Sequence, residues 1–269
     1  MIEILKYIFL GLVQGIAEVL PISSSAHLVI VSDVFGINTP ASFEVFLHIA
    51  SLIAVLVFLR KKLWQLIKGF FGFIFKRKEE YKKDFMYCIY VVVSTLMVVI
   101  ATLIFGNYSD KVASMLWLVG LLLVINAILL FVLTQIKGHR TRDELNIKDA
   151  LVIGAFQCLG VMPGISRSGS CLCGAFSRKI DKETAADYAF ILFVPAMVGA
   201  TVLNAKDLLG LFSDSSLVGY YILSFVITLV ITYVAFAFLL NIIRKGKLSY
   251  FGYYCLAVGA LVFTYGVLK

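Results

Sequence analysis

The chain has 269 residues, of which 61% are apolar and only 15% charged, and its mean hydropathy is +0.97. That mix excludes an ordinary soluble domain and makes lipid the solvent for most of the chain, with room for roughly six to nine spans at about 20 residues each. The net charge of +8 does not point to nucleic acid, because the basic residues sit in short stretches between apolar runs, where they set membrane orientation.

Residues 2–40 are apolar but interrupted by Pro, Ser and charge, so they do not read as a simple span. Their first 20 residues contain Gln14 and Glu18 and lack the basic start and small-residue cleavage site of a signal peptide, so they are expected to belong to the mature fold. A first span follows at 41–59. It carries Glu44 and, four residues on, His48 on one face near its external end, where interfacial packing and a functional role are both open. Residues 60–84 hold nine Lys or Arg and read as a cytoplasmic loop. Within it "LWQLIKGFFGFIF" fits an interfacial helix as well as an ordinary basic loop. Spans are expected at 85–105 and 113–136, then a basic linker at 137–149 in which His139 is solvated. Residues 150–187 form a second broken segment, and Asp187 is expected to cap the next helix. Spans at 188–204, which tolerates Pro195 and Gly199, at 218–242 and at 249–267 complete six. With the 60–84 segment inside, nineteen Lys or Arg are cytoplasmic, and Lys6, Lys111, Lys206 and Lys269 are external. Cys88, Cys158, Cys171, Cys173 and Cys255 lie in apolar stretches without metal-ligand spacing and read as small apolar helix residues.

The two broken segments are related. A shift of 143 residues aligns "GLVQGIAEVLPISSSAH" from Gly11 with "GAFQCLGVMPGISRSGS" from Gly154, matching Gly11 with Gly154, Gln14 with Gln157, Ile22 with Ile165, Ser23 with Ser166 and Ser25 with Ser168. Each segment precedes three spans, and an odd number of spans makes the repeat inverted. Both ends of each segment then lie on one side, so each must be a re-entrant helix, loop, helix, allowed in lipid only where protein or a watery cavity surrounds the irregular backbone. The expected fold is therefore an all-α polytopic membrane protein with six transmembrane helices plus two re-entrant segments. It forms one membrane domain over 1–269, with repeat 1 at about 1–136, repeat 2 at about 150–269 and a cytoplasmic linker at 137–149.

The first tip offers Gln14 and Glu18 on one helix face, Ser23, Ser24, Ser25 and His27; the second offers Ser166, Arg167, Ser168 and Ser170 among Gly164 and Gly169. A charge inside the membrane costs about 2.5–3.5 kcal/mol on insertion scales, so Glu18 and Arg167 need a partner, a cavity or a ligand. A mutual ion pair would satisfy both, and N-capping would account for the serines. The functional reading is anion binding at the helix N-termini. Arg167 would grip phosphate oxygens, the hydroxyls would donate or attack, and His27 would act as base, acid or nucleophile. Glu18 would hold a divalent cation or take a proton.

At these residues the chain resembles the undecaprenyl-diphosphate phosphatase family, also called bacitracin-resistance proteins, over nearly its whole length. The family pattern of Glu or Gln, three residues, Glu, then a Pro, Ser-rich, His stretch appears as "QGIAEVLPISSSAH" at 14–27, and its PGxSRSG signature as "PGISRSG" at 163–169. "FILFVPAMVGA" at 190–200 resembles a third family stretch. The resemblance implies hydrolysis of a polyprenyl diphosphate to the monophosphate at the outer face of a bacterial plasma membrane, recycling the lipid for wall synthesis. It also implies help from a divalent cation, magnesium or calcium, at Glu18. By position Glu18, Ser24, His27 and Arg167 match the family's essential residues, and Gln14, Ser23, Ser25, Ser166, Ser168 and Gly169 are expected to bind substrate. Gln14 takes the neutral option and supplies no carboxylate, and Ala26 replaces the Gly usual before the His. The nucleophile stays open between Ser24 and His27, and a second copy of the chain is a candidate partner. The rival class is a secondary transporter or lipid flippase, which shares the inverted-repeat architecture.

Overall fold

Apolar runs become helices in lipid because every backbone N–H and C=O must be satisfied within the segment. The computed structural model describes residues 2–37, 39–213 and 215–269. It comprises α1 (Ile2–Ala17), α2 (Ser24–Phe35), α3 (Ala41–Lys76), α4 (Glu79–Ala113), α5 (Leu116–Leu133), α6 (Ile147–Leu159), α7 (Arg167–Ser177), α8 (Lys182–Leu203), α9 (Ala205–Gly210), α10 (Ser215–Arg244) and α11 (Ser249–Leu268). There is no strand among the described residues, only an isolated bridge between Arg140 and Ile180. Helices α3, α4, α5, α8, α10 and α11 are the six long and apolar enough to cross a bilayer, so the chain is an all-α, multi-pass membrane protein.

The basic 60–84 segment is neither a loop nor a separate interfacial helix. Helix α3 runs unbroken for 36 residues to Lys76, and α4 starts at Glu79. At 1.5 Å per residue α3 is about 54 Å long, well beyond the hydrocarbon core of about 30 Å. Tertiary contact explains the extension: Phe70 and Phe73 lie 5.3 and 4.9 Å from Phe85 on α4, ring centre to ring centre, so the two helices continue to bury apolar surface past the span. Arg77, in the left-handed conformation at φ 50°, supplies the turn. Asp187 also differs from expectation. Asp181 caps α8, accepting from the amides of Glu183 and Thr184 at 3.0 Å, while Asp187 lies inside the helix and pairs with Lys62 of α3.

The halves pack reciprocally: α1 lies along α10, α6 along α4, and α5 along α11. The first two contacts are built alike. Ser224 Oγ donates to the Tyr7 carbonyl at 2.8 Å, and Ser94 Oγ donates to the Ala150 carbonyl at 2.7 Å. Tyr7 and Ala150 are related by the same 143-residue shift that aligns the motifs. Gly11 and Gly154, also so related, let the helices approach: a Cβ on Gly11 would sit 2.7 Å from the Ser224 carbonyl, and one on Gly154 3.0 Å from Ser94 Cα. Small residues and hydroxyls of this kind replace the hydrophobic drive that lipid removes.

The segment before α6 is held by charge. Asn146 caps α6, and the buried Asp149 carboxylate accepts from both terminal nitrogens of Arg140 at 2.8 and 2.7 Å and from Arg178 Nε at 2.8 Å. His139 is exposed there. The cysteines lie within helices, with Cys171, Cys173 and Cys255 buried.

Candidate active site

Helix α1 stops at Ala17, and a short turn leads to α2. The one-turn spacing of Gln14 and Glu18 lets Gln14 Nε2 donate to Glu18 Oε2 at 2.8 Å. Ser24, the first residue of α2, donates to the same oxygen at 2.6 Å. Ser23 adopts φ 71° and caps α2, accepting from the Ala26 amide at 3.4 Å, and Ser25 Oγ lies 3.3 Å from Ser23 Oγ.

His48 on α3 joins this cluster with Nε2 3.2 Å from Glu18 Oε2. Its Nδ1 is 2.7 Å from the Glu44 carbonyl, which can only accept, so Nδ1 carries a hydrogen. Nε2 then donates to the carboxylate only if the ring is an imidazolium. The i,i+4 pairing of Glu44 and His48 was the visible sequence signal, but it gave no hint that the second residue turns toward Glu18.

The second motif repeats the plan with different chemistry. Gly164 takes φ +114°, and its amide donates to Ser23 Oγ of the first motif at 3.1 Å. Ser166 caps α7, accepting from the Gly169 amide at 3.1 Å. Ser168 Oγ lies 3.1 Å from Ser166 Oγ and donates to the Val19 carbonyl at 3.3 Å. Gly169 faces the first motif so closely that a Cβ there would meet Pro21 Cβ at 3.2 Å. Asn126 of α5 joins the two turns: it donates to the Pro21 carbonyl at 3.0 Å and accepts from the Ser166 amide at 3.0 Å.

This stitching brings Arg167 to Glu18, with Nη2 3.8 Å from Oε1. The guanidinium also contacts Met197 Sδ at 2.7 Å and lies 5.6 Å from the centre of the Phe193 ring. Gln14, Glu18, Ser24, His48 and Arg167 thus form one polar cluster, with Gln14 and Glu18 buried and the other three half-buried. Ser23, Ser166 and Ser168 engage backbone and each other at its edge. His27 is turned elsewhere: Nδ1 donates to the Ser23 carbonyl and Nε2 accepts from Tyr254 of α11, both at 2.8 Å. It makes no hydrogen bond or ion pair with Glu18 or Arg167.

Two cavities meet at Arg167. An inner one of about 10 Å³, bordered by Glu18, Gln157, Ser168 and Phe193, is about the size of one water. An outer groove of about 780 Å³ runs between α4 and α8, from Ser25 and Arg167 past Val98, Met197 and Leu203. Among the described residues no three of His, Cys, Asp and Glu gather into a ready-made cage for a metal. Glu18 offers one carboxylate, with Oε2 engaged by three donors and Oε1 3.8 Å from Arg167 Nη2. A magnesium or calcium ion held by this single carboxylate would take most of its oxygen ligands from phosphate and water.

Residues 7–261 match the family described as bacitracin resistance protein BacA. The chain is 38% identical to undecaprenyl-diphosphatase 1 of Shouchella clausii, covering 98% of this chain and 96% of that one. It is 36% identical to undecaprenyl-diphosphatase 3 of Bacillus anthracis over 97% of both chains, and 36% identical to the undecaprenyl-diphosphatase of Oceanobacillus iheyensis over 97% and 96%.

Proposed function

Because this chain belongs to the bacitracin resistance protein BacA family, we propose that the Glu18 cluster is the catalytic centre of a phosphatase converting undecaprenyl diphosphate to undecaprenyl phosphate and inorganic phosphate. The observation that carries the assignment of roles is the 2.6 Å hydrogen bond from Ser24 Oγ to Glu18 Oε2, with Gln14 and His48 orienting the carboxylate. A hydroxyl, a base in hydrogen-bond reach and a third group that fixes the base are the parts of an activated nucleophile.

Ser24 Oγ attacks the terminal phosphorus as its proton passes to Glu18. The bond from that phosphorus to the bridging oxygen breaks, and undecaprenyl phosphate leaves. Water then cleaves the phosphoserine and restores the hydroxyl. Arg167 and the N-termini of α2 and α7 neutralise the charge on the transferring group, which is where most of the rate gain in phosphoryl transfer arises. His27, with its Nε2 lone pair taken by Tyr254, supports the turn before α2. A divalent cation bound with the diphosphate, held by Glu18, would supply further charge neutralisation. The prenyl tail lies in the apolar groove between α4 and α8, which opens toward lipid.

The reciprocal packing of α1 on α10 and α6 on α4 supports an inverted repeat with two re-entrant segments. The nineteen-to-four split of Lys and Arg supports an outward-facing site in a bacterial plasma membrane. Purified protein in detergent should release phosphate from undecaprenyl diphosphate, and a chelator should slow it; a transporter of the same architecture would release none. Ser24→Ala should lower turnover at least about 1,000-fold without changing the melting temperature. Undiminished turnover in that variant would remove Ser24 from its role.

A further inference from the structure

Gln157 is the counterpart of Gln14 under the 143-residue shift, yet it lacks the partner that Gln14 has. Gln14 meets Glu18 one turn on; the residue one turn after Gln157 is Val161. Both Gln157 Nε2 and Oε1 are buried and unpartnered, in a residue with 0% exposure. A buried amide left unsatisfied at both ends costs about 1–3 kcal/mol per group, so a protein does not keep one for stability. The same side chain borders the inner cavity with Glu18, Arg167 and Ser168, beside the carboxylate to which Ser24 donates.

We propose that Gln157 contacts the substrate: its Nε2 donates to a non-bridging oxygen of the transferring phosphoryl group, opposite Arg167, and that oxygen takes the place of the one water the cavity can hold. The hydrolysis proposed above is the premise. The sequence offers a reason for the asymmetry between the halves. The first half spends its glutamine on holding the base, and the second leaves its glutamine free for the ligand. The cavity of about 10 Å³ adjoins the outer groove at Arg167, so a phosphoryl oxygen arriving from the groove meets Gln157 at the inner wall.

The test compares wild type with Gln157→Met, which keeps the length of the side chain and removes both polar ends. Three quantities are measured in detergent: phosphate release from undecaprenyl diphosphate, the melting temperature, and the rise in melting temperature caused by a non-hydrolysable methylene-diphosphonate analogue of the substrate. The expected result is a 10- to 100-fold fall in kcat, a melting temperature equal to or above that of wild type, and a smaller rise with the analogue. Gln157→Asn, which keeps the amide but withdraws it, should lose activity likewise. Wild-type kcat in Gln157→Met overturns the proposal. So does a fall in kcat that tracks a lower melting temperature, since that marks a structural role. No phosphate release by wild type overturns the hydrolase reading itself, and this inference with it.

Discussion

Asn126→Leu removes a side chain from outside the two motifs that hydrogen-bonds to the turns of both. Asn126 lies on α5, 1% exposed, and makes two 3.0 Å bonds, to the Pro21 carbonyl and from the Ser166 amide. Leucine fills the same space but satisfies neither group. The Ser166 N–H becomes a buried orphan at a cost of about 1–3 kcal/mol. The Pro21 carbonyl keeps only the Cys255 thiol at 3.9 Å and adds about 1 kcal/mol, a typical value for an interhelical bond in lipid. The sum, about 2–4 kcal/mol, falls on the register between Glu18 and Arg167 as well as on stability. Thermal unfolding in detergent should shift down by several degrees. Phosphate release should fall even below the melting transition, because a displacement of about 1 Å at reacting groups costs on the order of 100-fold. Asn126→Asp, which keeps the acceptor for Ser166, should fall between the two. An Asn126→Leu protein with wild-type melting and wild-type turnover would refute the reasoning that this residue joins the two turns.

Two further outcomes follow from the charged groups. His48→Leu deletes a charge-assisted hydrogen bond to Glu18, worth about 1.5–3 kcal/mol, so turnover should fall about 10- to 100-fold; an unchanged kcat would show that His48 does not orient the base. At the start of α6, outside the six spans, burial raises the Asp149 carboxyl, but hydrogen bonds from Arg140 and Arg178 outweigh it and hold the group below its ordinary value of 3.8. A carboxyl lowered in the folded state stabilises the protein above its unfolded value and loses that contribution as pH falls through the folded one. Wild-type melting should therefore drop as pH falls below about 4. Asp149→Asn should cost about 3 kcal/mol at pH 7 and flatten that part of the profile; an equally steep acid limb in the variant would exclude Asp149 as its source.

The sequence by itself determined the membrane class, the six spans and the two motifs, because lipid imposes a length and an apolar composition that can be read locally. The cost of a charge in lipid also marked out Glu18 and Arg167, and the family resemblance added Gln14, Ser24 and His27 as residues to watch. It could not extend α3 to Lys76, since that depends on Phe70 and Phe73 finding Phe85 across a hairpin. Nor could it show where Ser24 and His27 point: adjacent turns of the same short helix direct one to Glu18 and the other to Tyr254. The direction of a side chain is set by what packs against its helix. Only the tertiary structure, through Asn126 on α5 and His48 on α3, decided which polar groups face one another across the two motifs.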